Sequence, residues 1–181
     1  MQTVKNLGSI ELSGTIVVSD PCYDRDVWCM KTGLSVKPGR YDVMAICSDE
    51  KEWGPRIASL VLIHQDHKKA PQKNWESIAT SIGVDSGQCG IFDDSIYPQS
   101  KDHPDYNPTF YEECCQITLS KKMAGLLKCG KGVVSSSGYG DGSYELFTKS
   151  DGGQNIALML DYDLLKMRKI MQMLVAEQSK G

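Results

Sequence analysis

Apolar and polar positions alternate in short runs along most of the chain and settle into a helical period only near its end. Ser9–Leu12 and Thr15–Ser19 read as two strands around a Ser13–Gly14 turn. Leu34–Val36 and Tyr41–Cys47 flank Lys37-Pro38-Gly39-Arg40, where proline presets the turn and glycine accepts positive φ. From Arg56 to Gln65 the centre is continuously apolar (IASLVLI), which predicts a strand buried on both faces. Trp75–Thr80, Ser81–Val84 and Gln88–Phe92 are shorter candidates. Gly132–Ser136, Tyr144–Thr148 and Asn155–Leu160 are expected to form a meander that turns at Asp151-Gly152-Gly153.

Helical signals are fewer. Pro108–Gln116 reads as a helix capped by Asn107, and Leu119–Cys129 as a second, short one. Leu164, Met167, Ile170, Met171, Leu174 and Val175 recur with the 3.6-residue period and predict an amphipathic helix from Asp163 to Gln178. The expected fold is α+β: mainly antiparallel sheet or sandwich, with a few short helices and that carboxy-terminal helix. No repeat or linker divides the chain, so residues 1–181 are expected to be one domain, with 162–181 as an appended element that would serve as an interface.

Composition changes this picture little. The 181 residues are 40% hydrophobic and 24% charged, enough to bury a substantial core. A net charge of -3 argues against a nucleic-acid backbone as partner, because such binding wants clustered Lys and Arg. The longest apolar stretch, near Leu60–Ile63, falls far short of the roughly 18–20 residues that span a bilayer, and MQTVKNLGSIELSG lacks the apolar core of a signal peptide. A cytoplasmic protein with no membrane partner is expected. Its seven cysteines are then read as reduced thiols, and no CxxC pair suggests zinc.

Candidate chemistry gathers in three acidic turns at strand ends, IVVSDPCYD, IGVDSGQCGIFDD and SGYGDGSY. Asp20, followed by Pro21, reads as the cap of a short helix. That would put Cys22 in a first helical turn, where the dipole favours thiolate, with His64, His67 and His103 as the available bases. Asp85-Ser86-Gly87 reads as a tight Asx turn. Asp85, Asp93 and Asp141 offer oxygen ligands to Mg²⁺ or Ca²⁺, although the EF-hand spacing is missing. The two histidines of HQDH at 64–67 are expected on opposite strand faces, not on one metal.

In SSSGYGDGSY, residues 135–144, the glycines let backbone approach a ligand and can aim amides into an anion nest. Ser137 supplies a hydroxyl, Tyr139 and Tyr144 can stack on a ring, and Asp141 can accept from ribose hydroxyls or an ammonium. A tight hairpin whose glycines serve geometry alone is the competing reading. The long polar connection from Tyr97 to Pro108 is a candidate lid.

VDSGQCGIFDD (84–94) and VVSSSGYGDGSYELFTKSDGGQNIALMLDY (133–162) resemble a bacterial and phage domain family of unknown function. Its members carry a Val-Asp-x-Gly turn, a Ser-Gly-Tyr-Gly-Asp-Gly-x-Tyr turn and a closing strand ending in Asp-aromatic. Here these are Val84–Gly87, Ser137–Tyr144 and Asp161-Tyr162. SDPCY at 19–23 is similar to an element of related small proteins. The resemblance covers roughly residues 80–162 well and the first 60 loosely. The helix after Tyr162 departs from it, and it implies that the turns belong together without implying an activity.

The function expected is binding of a small polar ligand, a nucleotide or another phosphorylated or ribosylated signalling molecule. Asp20, Cys22, Asp85, Ser86, Ser137, Tyr139, Asp141 and Tyr144 would form the site. The alternatives are a divalent-metal hydrolase built on converging aspartates, and an interaction or immunity-type module that forms a homo-oligomer through its carboxy-terminal helix.

Overall fold

The computed structural model describes residues 2–68, 74–100, 103–105 and 107–179. Its strands are β1 (Gln2–Leu12), β2 (Thr15–Ser19), β3 (Lys31–Ser35), β4 (Gly39–Asp49), β5 (Pro55–His64), β6 (Glu76–Val84), β7 (Gln88–Asp93), β8 (Ala124–Leu126), β9 (Gly132–Ser136), β10 (Gly142–Asp151) and β11 (Gln154–Asp161). Two helices, α1 (Thr109–Thr118) and α2 (Met167–Gln178), complete the framework. Antiparallel pairing builds a six-stranded sheet ordered β1-β4-β5-β11-β10-β6 and a five-stranded sheet ordered β3-β2-β7-β9-β8. The expected α+β architecture dominated by antiparallel sheet is therefore observed.

The two-residue side-chain period sorts each strand between two apolar layers. Val43, Ala45, Leu60, Leu62, Leu158 and Leu160 of the larger sheet meet Ile16, Val18, Cys89, Ile91 and Val133 of the smaller one. Their neighbours Met44, Ile46, Val61, Ile63, Ala157 and Met159 point the other way, onto Ile170 and Leu174 of α2. On the far side of the smaller sheet, Val17, Phe92 and Val134 pack on Phe110 and Cys114 of α1. The molecule is a sandwich with one helix on each outer face. Continuous burial of IASLVLI follows, since β5 has an apolar layer on both sides.

Several boundaries differ from expectation. Residues 119–129 are not a helix: α1 ends at Thr118, Met123 turns left-handed at φ 58°, and 124–126 pair with β9 as β8. Gly125 permits this pairing, because a Cβ there would sit 3.0 Å from Ile117 of α1. Trp75–Thr80 and Ser81–Val84 fuse into β6 across an irregularity at Ala79, whose φ is 55°. Helix α2 starts at Met167 and not at Asp163, which is itself left-handed at φ 58°. Part of its apolar stripe lies on its own sheet, with Ile170 and Leu174 fully buried and Met167 and Met171 half-buried beside them, while Val175 stays exposed. No helix among the described residues is long and apolar enough to cross a membrane.

Candidate functional site

Strand β2 carries the buried run Ile16–Ser19 through the smaller sheet, and its next residue, Asp20, emerges at the end of the sandwich still wholly buried. An ionised carboxylate held out of water requires donors. Asp20 has four: the Cys22 amide (2.9 Å) and Ser86 hydroxyl (2.6 Å) on Oδ1, and the amides of Asp85 (2.9 Å) and Ser86 (2.6 Å) on Oδ2. The carboxylate thus ties the turn after β2 to the turn between β6 and β7. It does not cap a helix, for residues 20–30 run through successive turns.

The correction extends to Cys22. Without a helix there is no dipole to favour thiolate, and burial followed by the neighbouring Asp20 carboxylate pushes the thiol up to about 12. Beside it, burial and then the Asp85 carboxylate raise the Tyr23 hydroxyl above its ordinary range. Tyr111 on α1 is raised in the same way, by burial first and then by Cys115. Pro21–Asp24 face Phe110 and Tyr111 across a cleft of about 280 Å³ whose described lining contains neither lysine nor arginine. A larger recess of about 450 Å³ lies between Ser95 and Cys129 and touches none of the three turns.

The third turn joins through Gly87, whose φ of 71° aims its carbonyl at the Ser137 amide (3.1 Å). A Cβ at Gly87 would lie only 3.8 Å from the Gly140 backbone. Within 137–144 most polar groups brace the turn itself. The Ser137 hydroxyl donates to the Gly140 carbonyl (2.8 Å), as does the Tyr144 hydroxyl (2.8 Å). Tyr144 is therefore a buried strut and not a stacking surface. The amides expected to cradle an anion are also engaged: Ser137 donates to Gly87, Gly138 to Ile57 and Gly140 to Ser137.

At the rim, Gly142 is the cross-strand partner of Val84. The ladder ends there; Asp85 and Asp141 are the next residue on each chain segment, and both are exposed. Asp20 thus supports the 85–86 turn from below, while Asp85 and Asp141 face water. Asp93 is elsewhere. It lies at the opposite end of β7, roughly 17 Å of strand away, buried and accepting from Ser13 and Ser95. Among the described residues no three His, Cys, Asp or Glu side chains are placed to hold a metal ion.

Tyr139 leaves the turn in another direction. More than half exposed (57%), it donates to Glu50 Oε2 (2.8 Å), meets Trp53 edge-on with ring centres 6.4 Å apart, and lies under the Arg56 guanidinium. Of these residues the sequence singled out Tyr139, and not Glu50, Trp53 or Arg56, nor Tyr111 at the cleft. A tryptophan beside Gly-Pro in SDEKEWGPR was the available signal for the first group, since turn positions rarely bury so large a ring.

The remaining candidates sit apart. The His64 and His67 rings, expected on opposite faces, come within 5.7 Å because a 3-10 turn at Gln65–His67 folds the chain back. Their nitrogens face Pro38, Asp66, Lys37 and Asp151 instead of Cys22. The segment read as a lid, 97–108, includes Lys101, Asp102 and Tyr106, which lie outside the described residues; Tyr97 within it is buried and donates to the Tyr23 carbonyl (2.9 Å). No family model, curated protein or solved structure matches this chain.

Proposed function

We propose that the protein binds a small, hydroxyl-rich polar ligand, such as the ribosyl part of a nucleoside or related molecule, at the rim where the three turns meet. The observation that carries this reading is the exposure of Asp85 and Asp141, which directly follow and precede the paired Val84 and Gly142. Two exposed carboxylates are carried on adjoining turns that the buried Asp20 carboxylate and the Gly87–Ser137 hydrogen bond hold in place. Carboxylates supply acceptors only, so they suit a ligand that brings donors, as sugar hydroxyls do. Rigid support reduces the ordering that binding would otherwise cost. A phosphate fits less well, because the turn's inward amides are engaged and the neighbouring cleft has no lysine or arginine in its described lining.

The test is a thermal-shift and calorimetric screen of ribose, nucleosides, their phosphates, Mg²⁺ and Ca²⁺ against the wild type and the Asp141→Asn variant. Saturation at a hundred dissociation constants stabilises by about 2.7 kcal/mol, a shift of a few degrees for a domain of this size. A hydroxylated ligand should raise Tm, and Asp141→Asn should weaken it at least tenfold while leaving the unliganded Tm unchanged, since Asp141 is exposed. Ligand binding indifferent to Asp141→Asn would remove the rim from consideration. A response to the divalent cations alone would favour the hydrolase alternative.

A further inference from the structure

One end of the sandwich displays aromatic surface that the core does not use. Trp53 is 69% exposed at the tip of the β4–β5 hairpin. The tip is not loose. Glu50 donates its amide to the Gly54 carbonyl (3.0 Å), Trp53 to Glu50 (3.2 Å) and Gly54 to Lys51 (3.0 Å), with Lys51 and Gly54 left-handed at φ 57° and 72°. The indole is thus presented on a closed turn. A large exposed ring held this firmly contributes little to folding and is the kind of group that recognition surfaces use.

Its surroundings specify the chemistry. Tyr139 stands at 81° to the indole, so the two rings form a corner, and Arg56 lies 5.8 Å above the Tyr139 ring. Glu50 borders the corner and is held as an acceptor by hydrogen bonds from Ser48 and Tyr139. These two bonds lower its carboxyl's pKa below the usual range, the Ser48 bond having the larger effect. A flat ring can stack in such a corner, and ring N–H groups can donate to Glu50. Tyr139 also belongs to the turn that carries Asp141, two residues on. One turn therefore carries both a wall of the corner and Asp141.

Resting on the reading above, we infer that the ligand is of the nucleoside class: its heterocyclic base stacks on Trp53 in the corner with Tyr139, while its sugar hydroxyls meet Asp85 and Asp141. The experiment is calorimetric titration of adenosine, guanosine, cytidine, uridine and D-ribose into the wild type, Trp53→Ala and Trp53→Phe. Assignment of the Trp53 indole N–H in an NMR spectrum adds a local readout. At least one nucleoside should bind more tightly than ribose and shift the Trp53 signal. Trp53→Ala should weaken it by roughly tenfold to a hundredfold, the range of one base–aromatic stack, and Trp53→Phe should retain most of the affinity. Ribose should be indifferent to both changes. An unchanged Tm in both variants shows that the fold has survived. Nucleosides that bind Trp53→Ala as well as wild type, or no better than ribose, would overturn the stacking inference and leave the carboxylate rim standing. Absence of binding by every probe to the wild type would overturn both.

Discussion

Asp20 shows how one buried side chain can organise a surface. Its four donors come from two turns, and the turn at 85–86 is 65 and 66 residues away. Replacement by alanine leaves two amides of that distant turn without their acceptor and should destabilise the protein by roughly 3–5 kcal/mol in urea unfolding. The sequence singled out Asp20 but misread it as a helix cap, because local rules pointed only forward along the chain, to Pro21 and an unformed helix. Cys22 gives a second check. With its thiol raised to about 12, thiolate at pH 8 is roughly one part in ten thousand, so labelling with a thiol-specific disulfide reagent should modify exposed Cys129 well before Cys22. Asp161 is shifted the other way from a typical surface carboxylate: burial, with Asp163 and the facing Glu145 adding, lifts it to about 6. The native state then keeps a proton that the unfolded chain releases near pH 4. Stability should therefore fall as pH rises from about 4 to 6 and remain lower above it. Asp161→Asn should remove this fall and raise stability at pH 8 by roughly 1–3 kcal/mol, as read from unfolding curves at both ends of that window.

Among the elements, those whose pattern has a single physical meaning were legible. Alternation identified β2, β4, β7 and β9–β11, because each strand divides its side chains between two layers. The turn at Gly152–Gly153 was equally plain: both residues are left-handed, as a two-residue hairpin between paired Asp151 and Gln154 requires. Residues 119–129 were misread because LSKKMAGLLKC has helix-forming composition, whereas contact with β9 and the left-handed Met123 decide its course. The period of α2 was legible, but its destination was not, since no local rule distinguishes a face packed on its own sheet from one awaiting a partner. Leu174→Ala should accordingly cost about 2–5 kcal/mol in chemical denaturation, as for a core leucine. A face serving a second copy would instead give a Tm that falls on dilution.

At the level of the whole molecule, one helix packs on each outer face of the sandwich, and its ends carry the turns between strands. The sequence showed the three turns as separate acidic loops; only strand order places them together, with β2 beside β7 and β6 beside β10. Trp53 and Tyr139, 86 residues apart in sequence, became neighbours for the same reason. The Asp20 hub has one further consequence, for exchange of amide hydrogens with solvent. The Asp85 and Ser86 amides lie in a turn, where exchange is normally fast, yet both donate to a wholly buried carboxylate. They should exchange as slowly as amides in the middle of β5 and be released only with the surrounding core. A ligand arriving at this end would meet an edge already set, with no opening step ahead of its association.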